Sequence, residues 1–426
     1  MRAFRYRLYP TRQQEEELLL QLELCRRLYN KALWWRQGAW ERRGQRVGLK
    51  EQTLALTQLK KEMPDYRGLS PGTLEDVVKR VHRAYEGFFR RTKAGEAPGY
   101  PRSKGLGRYR SLSVPRRREF HFDWDGRKRH GRLSVRGIRG LRVRMHRSFP
   151  EGATVRRVTI KREGSGHWYV VFGWDIEGYR PPEHKARDEA VGLHPGLVPY
   201  LSTDAGEIYE APSEPAHECA KLRRLQREFA RTERGSNRSK KRLAILARYY
   251  ERERARRRQF RHELSKDLVE RYGHLFVNRL AVSEMLSGQN SLKPLRGRVA
   301  EAAWYDLSEM IRYKAESAGA VYAEVDAEGV VQECSQCDAD VPKTLAERVH
   351  HCPRCGLRTS RGVNAARNAK KRAVRVLWGG ERNEPPPSKR ERSRATQLGV
   401  VGEAKLGSRA VSTRPHKGAR GRQQID

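Results

Sequence analysis

The sequence predicts an α+β protein with several domains, in which a small β-barrel and a helical segment precede a mixed α/β domain. Three observations support this prediction: short alternating strand patterns in the first half, helical periodicity from residue 11 to about residue 93, and strands alternating with helices after residue 186. The chain has 426 residues, which suffices for about two to four domains with their own cores.

The N-terminal region combines one strand with a long helical segment. Residues 1–10 alternate and end at Pro10, whereas Thr11 precedes an acidic turn and a run of leucines, as at the start of a helix. Short strands recur between residues 119 and 176, with arginines on their polar face. We therefore predict a β-barrel domain from residues 1–10 and 111–180, with a helical domain at 11–110 inserted into it.

The second half predicts an α/β domain built from residues 186–330 and 357–378, after a polar linker. Its expected elements are two strands joined near Gly196, a strand from 274 that ends at Glu284, and a final helix at about 363–377. Residues 216–272 predict a long basic helical hairpin that turns at 235–241, and residues 379–426 predict a disordered basic tail.

The charge balance predicts a polyanionic partner. Lys and Arg number 90 against 51 Asp and Glu, a formal charge of +39, and nucleic acid is the leading candidate because binding releases condensed counterions. No apolar run of ~18 residues, signal peptide or lipidation motif is found, which speaks against a membrane partner. The two scattered thiols, Cys25 and Cys219, fit a reducing compartment, so we expect a cytoplasmic protein of the bacterial cytosol or nucleoid.

Four cysteines predict a metal site. Two CxxC motifs are separated by fourteen residues, and each motif folds two thiolates toward a common point; the four are Cys334, Cys337, Cys352 and Cys355. We expect a structural zinc ribbon at 331–356. The alternative is a pair of disulfides, which requires an oxidising compartment.

Exposed cations in two segments are candidates for contacts with phosphates. Arg102 and Lys104 lie in a Gly- and Pro-rich loop, and the others lie on more than one face of the basic hairpin, which favours binding over a solvated helix face. The hairpin candidates are Arg223, Arg227, Arg234, Arg238, Lys240, Lys241 and Arg242.

The order of the last elements is that of the acidic sites in an RNase H-like nuclease: a strand, a distant strand near Glu284, and a final helix that begins near Gly362. Such enzymes need three or four carboxylates that converge on two divalent ions ~4 Å apart. Mg²⁺ prefers oxygen ligands, so an imidazole is a poor substitute for a carboxylate.

The sequence resembles the TnpB family, the transposon-encoded RNA-guided nucleases that are similar to compact type V CRISPR effectors. The resemblance covers about residues 1–378 and depends on the order of several motifs. They read YRLYPT, RRLYN, GYPRSK, GSNRSKKR, VSEML, WYDLSEMIRYKAESAG, the two CxxC motifs and GVNAARNAKKR. The resemblance implies a guide RNA and a double-stranded DNA target as partners.

The same resemblance exposes two departures. The family pattern has aspartates where this chain has His194 and Gly362, whereas the second acid is retained as Glu284. One carboxylate brings a charge of −1 to two ions that total +4, so the pair of ions is not stabilised. We therefore expect a nuclease-dead, RNA-guided DNA-binding protein that serves as a transcriptional repressor, with Mg²⁺ needed only if the site is active.

Two alternatives remain open. An acid can be relocated, and the candidates are Asp188, Glu189 and Asp204; the protein is then an active RNA-guided endonuclease of a transposon. In the other alternative, the chain is a decayed transposon-encoded DNA-binding protein that carries no guide.

Overall fold

The structure is a computed structural model, and it describes residues 2–186, 188–212, 216–287, 295–344 and 346–378. The basic tail predicted at 379–426 lies outside these residues. The chain divides into two compact units, Met1–Tyr179 with His217–Arg252, and Arg180–Ala216 with Glu253–Asp426. None of the described helices is long and apolar enough to cross a membrane.

The first unit contains a seven-stranded antiparallel sheet with the order β2-β6-β7-β1-β5-β4-β3. Its strands are β1 (Arg2–Tyr9), β2 (Ser111–Val114), β3 (Phe120–Asp123), β4 (His130–Val135), β5 (Ile138–Arg144), β6 (Thr154–Arg162) and β7 (Trp168–Asp175). Only residues 115–119 separate the two edge strands, β2 and β3, so the sheet curls back on itself and is nearly closed. The structure thus shows a nearly closed sheet where the sequence predicted a barrel.

Three helices are inserted after the first strand: α1 (Arg12–Arg43), α2 (Leu49–Glu62) and α3 (Pro71–Lys93). Thr11 caps α1, because its hydroxyl accepts a hydrogen bond from the backbone N–H of Gln14 at 3.3 Å. The helix ends at Gly44, whose φ of 62° is the left-handed conformation that glycine adopts without strain. The apolar face of α3, which includes Leu74 and Val81, is buried against the rest of this unit.

The second unit contains a five-stranded mixed sheet with the order β10-β9-β8-β11-β12. Its strands are β8 (Ala190–Pro195), β9 (Leu201–Thr203), β10 (Ile208–Tyr209), β11 (His274–Arg279) and β12 (Val321–Asp326). Strands β8, β11 and β12 are parallel, whereas β9 and β10 run antiparallel to their neighbours. The three parallel strands therefore end at one edge of the sheet, which we call the carboxyl edge.

The helices that follow are α4 (Ala216–Ala230), α5 (Asn237–Arg271), α6 (Val282–Ser287), α7 (Arg296–Ala302), α8 (Trp304–Ala318) and α9 (Arg361–Trp378). Helices α4 and α5 form the predicted basic hairpin, but the connection lies at 231–236 rather than 235–241. The reason is a local cap: the hydroxyl of Ser236 accepts a hydrogen bond from the backbone N–H of Ser239 at 3.1 Å, so α5 has already begun at residue 237.

The strand predicted to end at Glu284 was wrong in its boundary. Strand β11 ends at Arg279, and Glu284 lies within α6. The backbone turns at residues 280–282, and the N–H of Met285 then donates to the carbonyl of Ala281 at 3.1 Å, as in a helix. A short apolar run does not distinguish a buried strand from a buried helical turn, which explains the error.

Helix α9 packs closely on the parallel strands of the second unit. A Cβ atom at Gly192 would lie 2.0 Å from the carbonyl oxygen of Ala366, so only glycine lets β8 and α9 approach this closely. Ala365, Ala366 and Ala369 are fully buried on this face. Helix α9 is thereby held over the strand that carries His194.

Candidate functional site

The carboxyl edge brings His194 of β8 close to Asn278 of β11. The side-chain Nδ2 of Asn278 lies 3.2 Å from His194 Nδ1 and donates a second hydrogen bond to the carbonyl oxygen of Ala365 at 3.0 Å. Burial, aided by the nearby Arg361 guanidinium, lowers the pKa of His194 to about 4. His194 is therefore neutral at pH 7, and its Nδ1 accepts the hydrogen bond from Asn278.

The second departure, Gly362, faces Ser202 of β9. Gly362 is the second residue of α9, and a Cβ atom there would lie 2.4 Å from Ser202 Oγ and 3.1 Å from Ser202 Cβ. Ser202 is 1% exposed and pairs with His194 across the β8–β9 ladder. The structure thus brings His194 and Gly362, the two predicted positions of missing acids, to one end of β8, with Ser202 between them.

Glu284, the predicted retained acid, is placed only by its backbone. Glu284 lies in α6, which follows β11 after two residues, so its Cα is on the side of the carboxyl edge. Its side chain lies outside the described part of the chain.

Three other carboxylates were candidates for relocation, and their positions differ. Asp204 accepts a hydrogen bond from the backbone N–H of Gly192 at 2.9 Å and forms an ion pair with Lys370 at 2.9 Å. Asp188 and Glu189 precede β8, whereas His194 lies near its end, so about 15–20 Å of chain separates them from His194 at the rise of a strand. Asp204 therefore holds β8 to α9, and the other two lie toward the opposite end of the strand.

The described side chains at the carboxyl edge do not fit a clamp for two Mg²⁺ ions. His194 offers a neutral nitrogen that is already hydrogen-bonded, and Gly362 offers no ligand. Asp326, which ends β12, is two strands away from His194, or about 10 Å. Two ions ~4 Å apart need carboxylates that bridge them, and this edge has no such pair among the described side chains.

The four cysteines come together as predicted. Their Sγ atoms all lie within 4.8 Å of one another, with Cys334 to Cys355 at 3.6 Å and Cys337 to Cys352 at 3.5 Å. A tetrahedral Zn–S₄ site with bonds of ~2.3 Å has sulfur atoms ~3.8 Å apart, so the cluster fits a metal ion. These separations exceed a disulfide bond of ~2.05 Å, and none of the six cysteines, all of which lie in the described part of the chain, forms a disulfide.

The two CxxC turns share one geometry. In each, the residue after the second cysteine is left-handed, Asp338 at φ 59° and Gly356 at φ 75°. The N–H of each of these residues donates to the carbonyl of the first cysteine, at 3.0 and 2.9 Å. A short hairpin of β13 (Val349–His351) and β14 (Arg358–Ser360) brackets the second turn.

Two buried asparagines of α9 hold the first CxxC turn, and the sequence prediction did not include them. Asn364 accepts a hydrogen bond from the N–H of Ser335 at 2.9 Å and donates to the carbonyl of Glu333 at 2.7 Å. Asn368 donates to the carbonyls of Val330 and Glu333 at 2.9 and 2.8 Å. Their spacing of four residues on one helix face was the available signal.

The predicted contacts Arg102 and Lys104 line a cleft in the first unit together with three arginines of α3. The cleft has a volume of about 490 Å³, and no Asp or Glu is among its lining residues. The arginines are Arg83, Arg90 and Arg91, at helical spacing on one face, and the sequence prediction did not include them. The cleft is therefore lined by five cationic side chains, of which Arg83 also forms an ion pair with Asp76 at 3.6 Å.

The hairpin candidates divide into two groups. Arg242 forms an ion pair with Glu228 at 2.8 Å and is partly buried, so its charge is compensated within the hairpin. The other six candidates are exposed: Arg223, Arg227, Arg234, Arg238, Lys240 and Lys241. Their role as phosphate contacts stays a prediction.

Three family models match parts of the chain. The Cas12f1-like TNB domain matches residues 304–369, the "probable transposase" model matches 175–288, and a "helix-turn-helix domain" model matches 1–45. In the described part of that last segment, the structure has one strand and the 32-residue helix α1 rather than two short helices.

Curated relatives span most of the chain. A putative RNA-guided DNA endonuclease of Streptomyces pristinaespiralis is 31% identical over 377 residues, covering 86% of this chain and 88% of that protein. A protein of the same description from Escherichia coli is 23% identical over 395 residues, covering 89% and 94%. A TnpB-like protein of Acanthamoeba polyphaga mimivirus is 22% identical over 238 residues, covering 53% and 45%.

A solved structure shares the fold. The protein in a Cas12f1–sgRNA–target DNA complex superposes with a TM-score of 0.52 at 14% identity, covering 84% of this chain and 83% of that chain. The fold is thus a Cas12f-like, mixed α/β multidomain fold with a nearly closed sheet. Together with the 31% identity across nearly the whole chain, this shows that the protein belongs to the TnpB family of RNA-guided DNA endonuclease-like proteins.

Proposed function

We propose that this protein is an RNA-guided DNA-binding protein with an inactive nuclease site, and that it acts as a guided transcriptional repressor. The observation that carries the proposal is the carboxyl edge, where a neutral His194 and a Gly362 packed on Ser202 stand at the positions of two acids. Three carboxylates bring a charge of about −3 to two ions that total +4, whereas Glu284 alone brings −1.

An RNase H-like origin of the second unit is supported by its sheet. Strands β8 and β11 are adjacent and parallel although about 80 residues separate them, and the C-terminal helix α9 covers both. This arrangement supports a common site for the three predicted acid positions of the nuclease. The chain can thus keep the fold of a nuclease although it lacks two of the proposed metal ligands.

Binding to nucleic acid is supported by charge. The cleft that contains Arg102 and Lys104 presents five cations, and the exposed cations of the hairpin add to a total formal charge of +39. In such complexes, base pairing of a guide RNA reads the target sequence, while the protein contacts backbones and a short flanking motif. A complex that stays on its DNA target without cutting it obstructs RNA polymerase, and transcription is repressed.

The cysteine cluster is proposed to hold one structural zinc ion in a ribbon inserted at 331–356. All four ligands, Cys334, Cys337, Cys352 and Cys355, are thiolates when the ion is bound, which leaves no coordination position for a substrate. Asn364 fastens the first turn of this site to α9.

The experiment that tests the proposal uses the full chain with the RNA that copurifies with it. Sequencing that RNA defines the matched DNA, which is then incubated with the complex and Mg²⁺ or Mn²⁺. We expect guide-dependent binding and intact DNA. Specific cleavage products that disappear in Glu284→Ala would show an active nuclease instead, and purification without RNA would favour the decayed, guide-free alternative.

A further inference from the structure

At residue 362, one of the two altered positions of the proposed inactive site, the neighbouring atoms leave no space for a side chain. The Cβ of residue 362 is fixed by the backbone of α9, so every residue other than glycine would place an atom 2.4 Å from Ser202 Oγ. Rotation of the Ser202 hydroxyl would relieve this contact, but Ser202 Cβ would remain at 3.1 Å, which is still too close for two carbon atoms.

Ser202 has little freedom to withdraw. It is 1% exposed, and its strand is anchored on both sides, with Ser202 opposite His194 on β8 and opposite Ile208 on β10. Helix α9 is equally constrained, because the carbonyl of Ala366 lies against Gly192 and Asn278 holds the carbonyl of Ala365. Neither side can yield without loss of packing.

From these contacts we propose that Ser202 and Gly362 form a matched pair that excludes a carboxylate from position 362, so that restoring acids at 194 and 362 does not by itself rebuild a two-ion site. The inference rests on the proposed inactivity and deepens it: the loss of ligands is fixed by a third residue, Ser202. Rebuilding a two-ion site needs space at residue 202 as well as carboxylates at residues 194 and 362.

The direction in which Gly362→Ala changes stability distinguishes this close packing from that of an ordinary helical glycine. Gly362 has helical backbone angles and no positive φ, so an alanine there should stabilise the helix, as it does at other helical glycines. The close approach to Ser202 predicts the opposite. We expect Gly362→Ala to lower the unfolding temperature by several degrees, and Ser202→Gly to remove most of that loss in the double variant.

The matched control is Gly297→Ala, which is also at the second position of a helix in the same unit but has no atom within 4 Å of its Cβ. It should leave the unfolding temperature unchanged or raise it, in either background. A Gly362→Ala variant as stable as the wild type overturns the matched pair, whatever the nuclease activity proves to be. The matched pair is also overturned if Gly362→Ala lowers the unfolding temperature by the same amount with and without Ser202→Gly.

A second arm measures ions directly. We expect His194→Asp with Gly362→Asp to bind no pair of Mn²⁺ ions by calorimetry or by electron paramagnetic resonance, because the new carboxylate at 362 is displaced. Addition of Ser202→Gly should give two Mn²⁺ per chain, bound at least tenfold more tightly than any Mn²⁺ in the double variant. Two ions in the double variant, or none in a folded triple variant, contradict the role of Ser202. Cleavage by the wild type instead contradicts only the proposed inactivity.

Discussion

At the scale of single residues, His194 stands at a predicted ligand position and makes a structural contact there. Its neutral imidazole accepts from Asn278, and Asn278 in turn donates to the carbonyl of Ala365, so one amide joins β8, β11 and α9. A hydrogen bond between the buried amide of Asn278 and the partly buried, neutral imidazole holds these elements together without a metal ion. The sequence identified the substitution, but only the structure shows that the imidazole has a partner.

The depressed pKa of His194 predicts how stability depends on pH. The unfolded chain binds a proton at His194 near pH 6.5, whereas the folded chain does so only near pH 4, so the stability from the neutral form is present above pH 6.5 and is lost as pH falls toward 4. His194→Asn should make the decline in unfolding free energy between pH 6.5 and 4 shallower. Denaturant titrations of both proteins at several pH values measure the difference, and identical slopes would show that His194 does not titrate in this way.

At the scale of elements, α9 serves two sites of the second unit. Gly362 and Ala365 of this helix face Ser202 and Asn278, while Asn364 and Asn368 hold the first CxxC turn. The sequence motif N-A-A-R-N thus combines small residues that let the helix approach the sheet with amides that fasten the metal site. The contacts of Asn364 and Asn368 with the first CxxC turn do not involve residue 362.

We therefore predict one zinc ion per chain and a graded response to substitution. Cys352→Ser should lose the ion, because three thiolates no longer complete the tetrahedron, and Asn364→Ala should weaken zinc binding by about tenfold, because the first turn is less well ordered. Elemental analysis and competition with a chelator measure these effects.

Cys219→Ser is the matched thiol control, since Cys219 lies outside the cluster and should keep the full zinc content. A zinc-free wild type, or equal zinc in Cys352→Ser, would be incompatible with the assigned ligands.

For the basic cleft, we predict that affinity for nucleic acid depends on the cations in the cleft rather than on the net charge of the protein. Arg90→Gln with Arg102→Gln should weaken binding to the guide RNA or to target DNA and reduce the slope of log affinity against log salt by about two, one for each lost phosphate contact. Measurement with RNA and with DNA separately distinguishes the two ligands.

Arg242→Gln is the control for this prediction, because that guanidinium is already paired with Glu228. It removes a positive charge outside the cleft and should change the slope of log affinity against log salt by less than Arg90→Gln or Arg102→Gln alone. If all three substitutions act equally, binding follows net charge, and the cleft has no special part in it.

Elements with strong local signals were predictable, and those decided by tertiary contacts were not. The capped start of α1 and the cysteine cluster followed from short motifs at Thr11 and in the two CxxC turns. The end of β11 did not, because apolar residues continue from the strand into α6. Nor did the contact of Gly362 with Ser202, which joins residues that are 160 positions apart in the chain.

At the scale of the whole molecule, the basic hairpin is shared between the two compact units. We predicted it as part of the α/β domain, and its connection to that domain along the chain is continuous. By contacts, however, residues 217–252 group with the nearly closed sheet, and the remainder of α5 groups with the second unit. One 35-residue helix thus belongs to both units, and the domain boundaries of this region stay a prediction.

The proposed role as a repressor makes a prediction for the complete complex. Protein with its own RNA, bound to a matched site downstream of a promoter, should stop transcription at that site while the template stays full-length in Mg²⁺. The block should weaken steeply between ~50 and ~200 mM salt, because many phosphate contacts are lost together. It should also vanish when the guide is digested or when the target is mismatched next to the flanking motif, since pairing starts there. A block that persists on unrelated DNA at physiological salt would mean that charge alone holds the protein on DNA, and a shortened template would mean that the site at His194 and Gly362 still cuts.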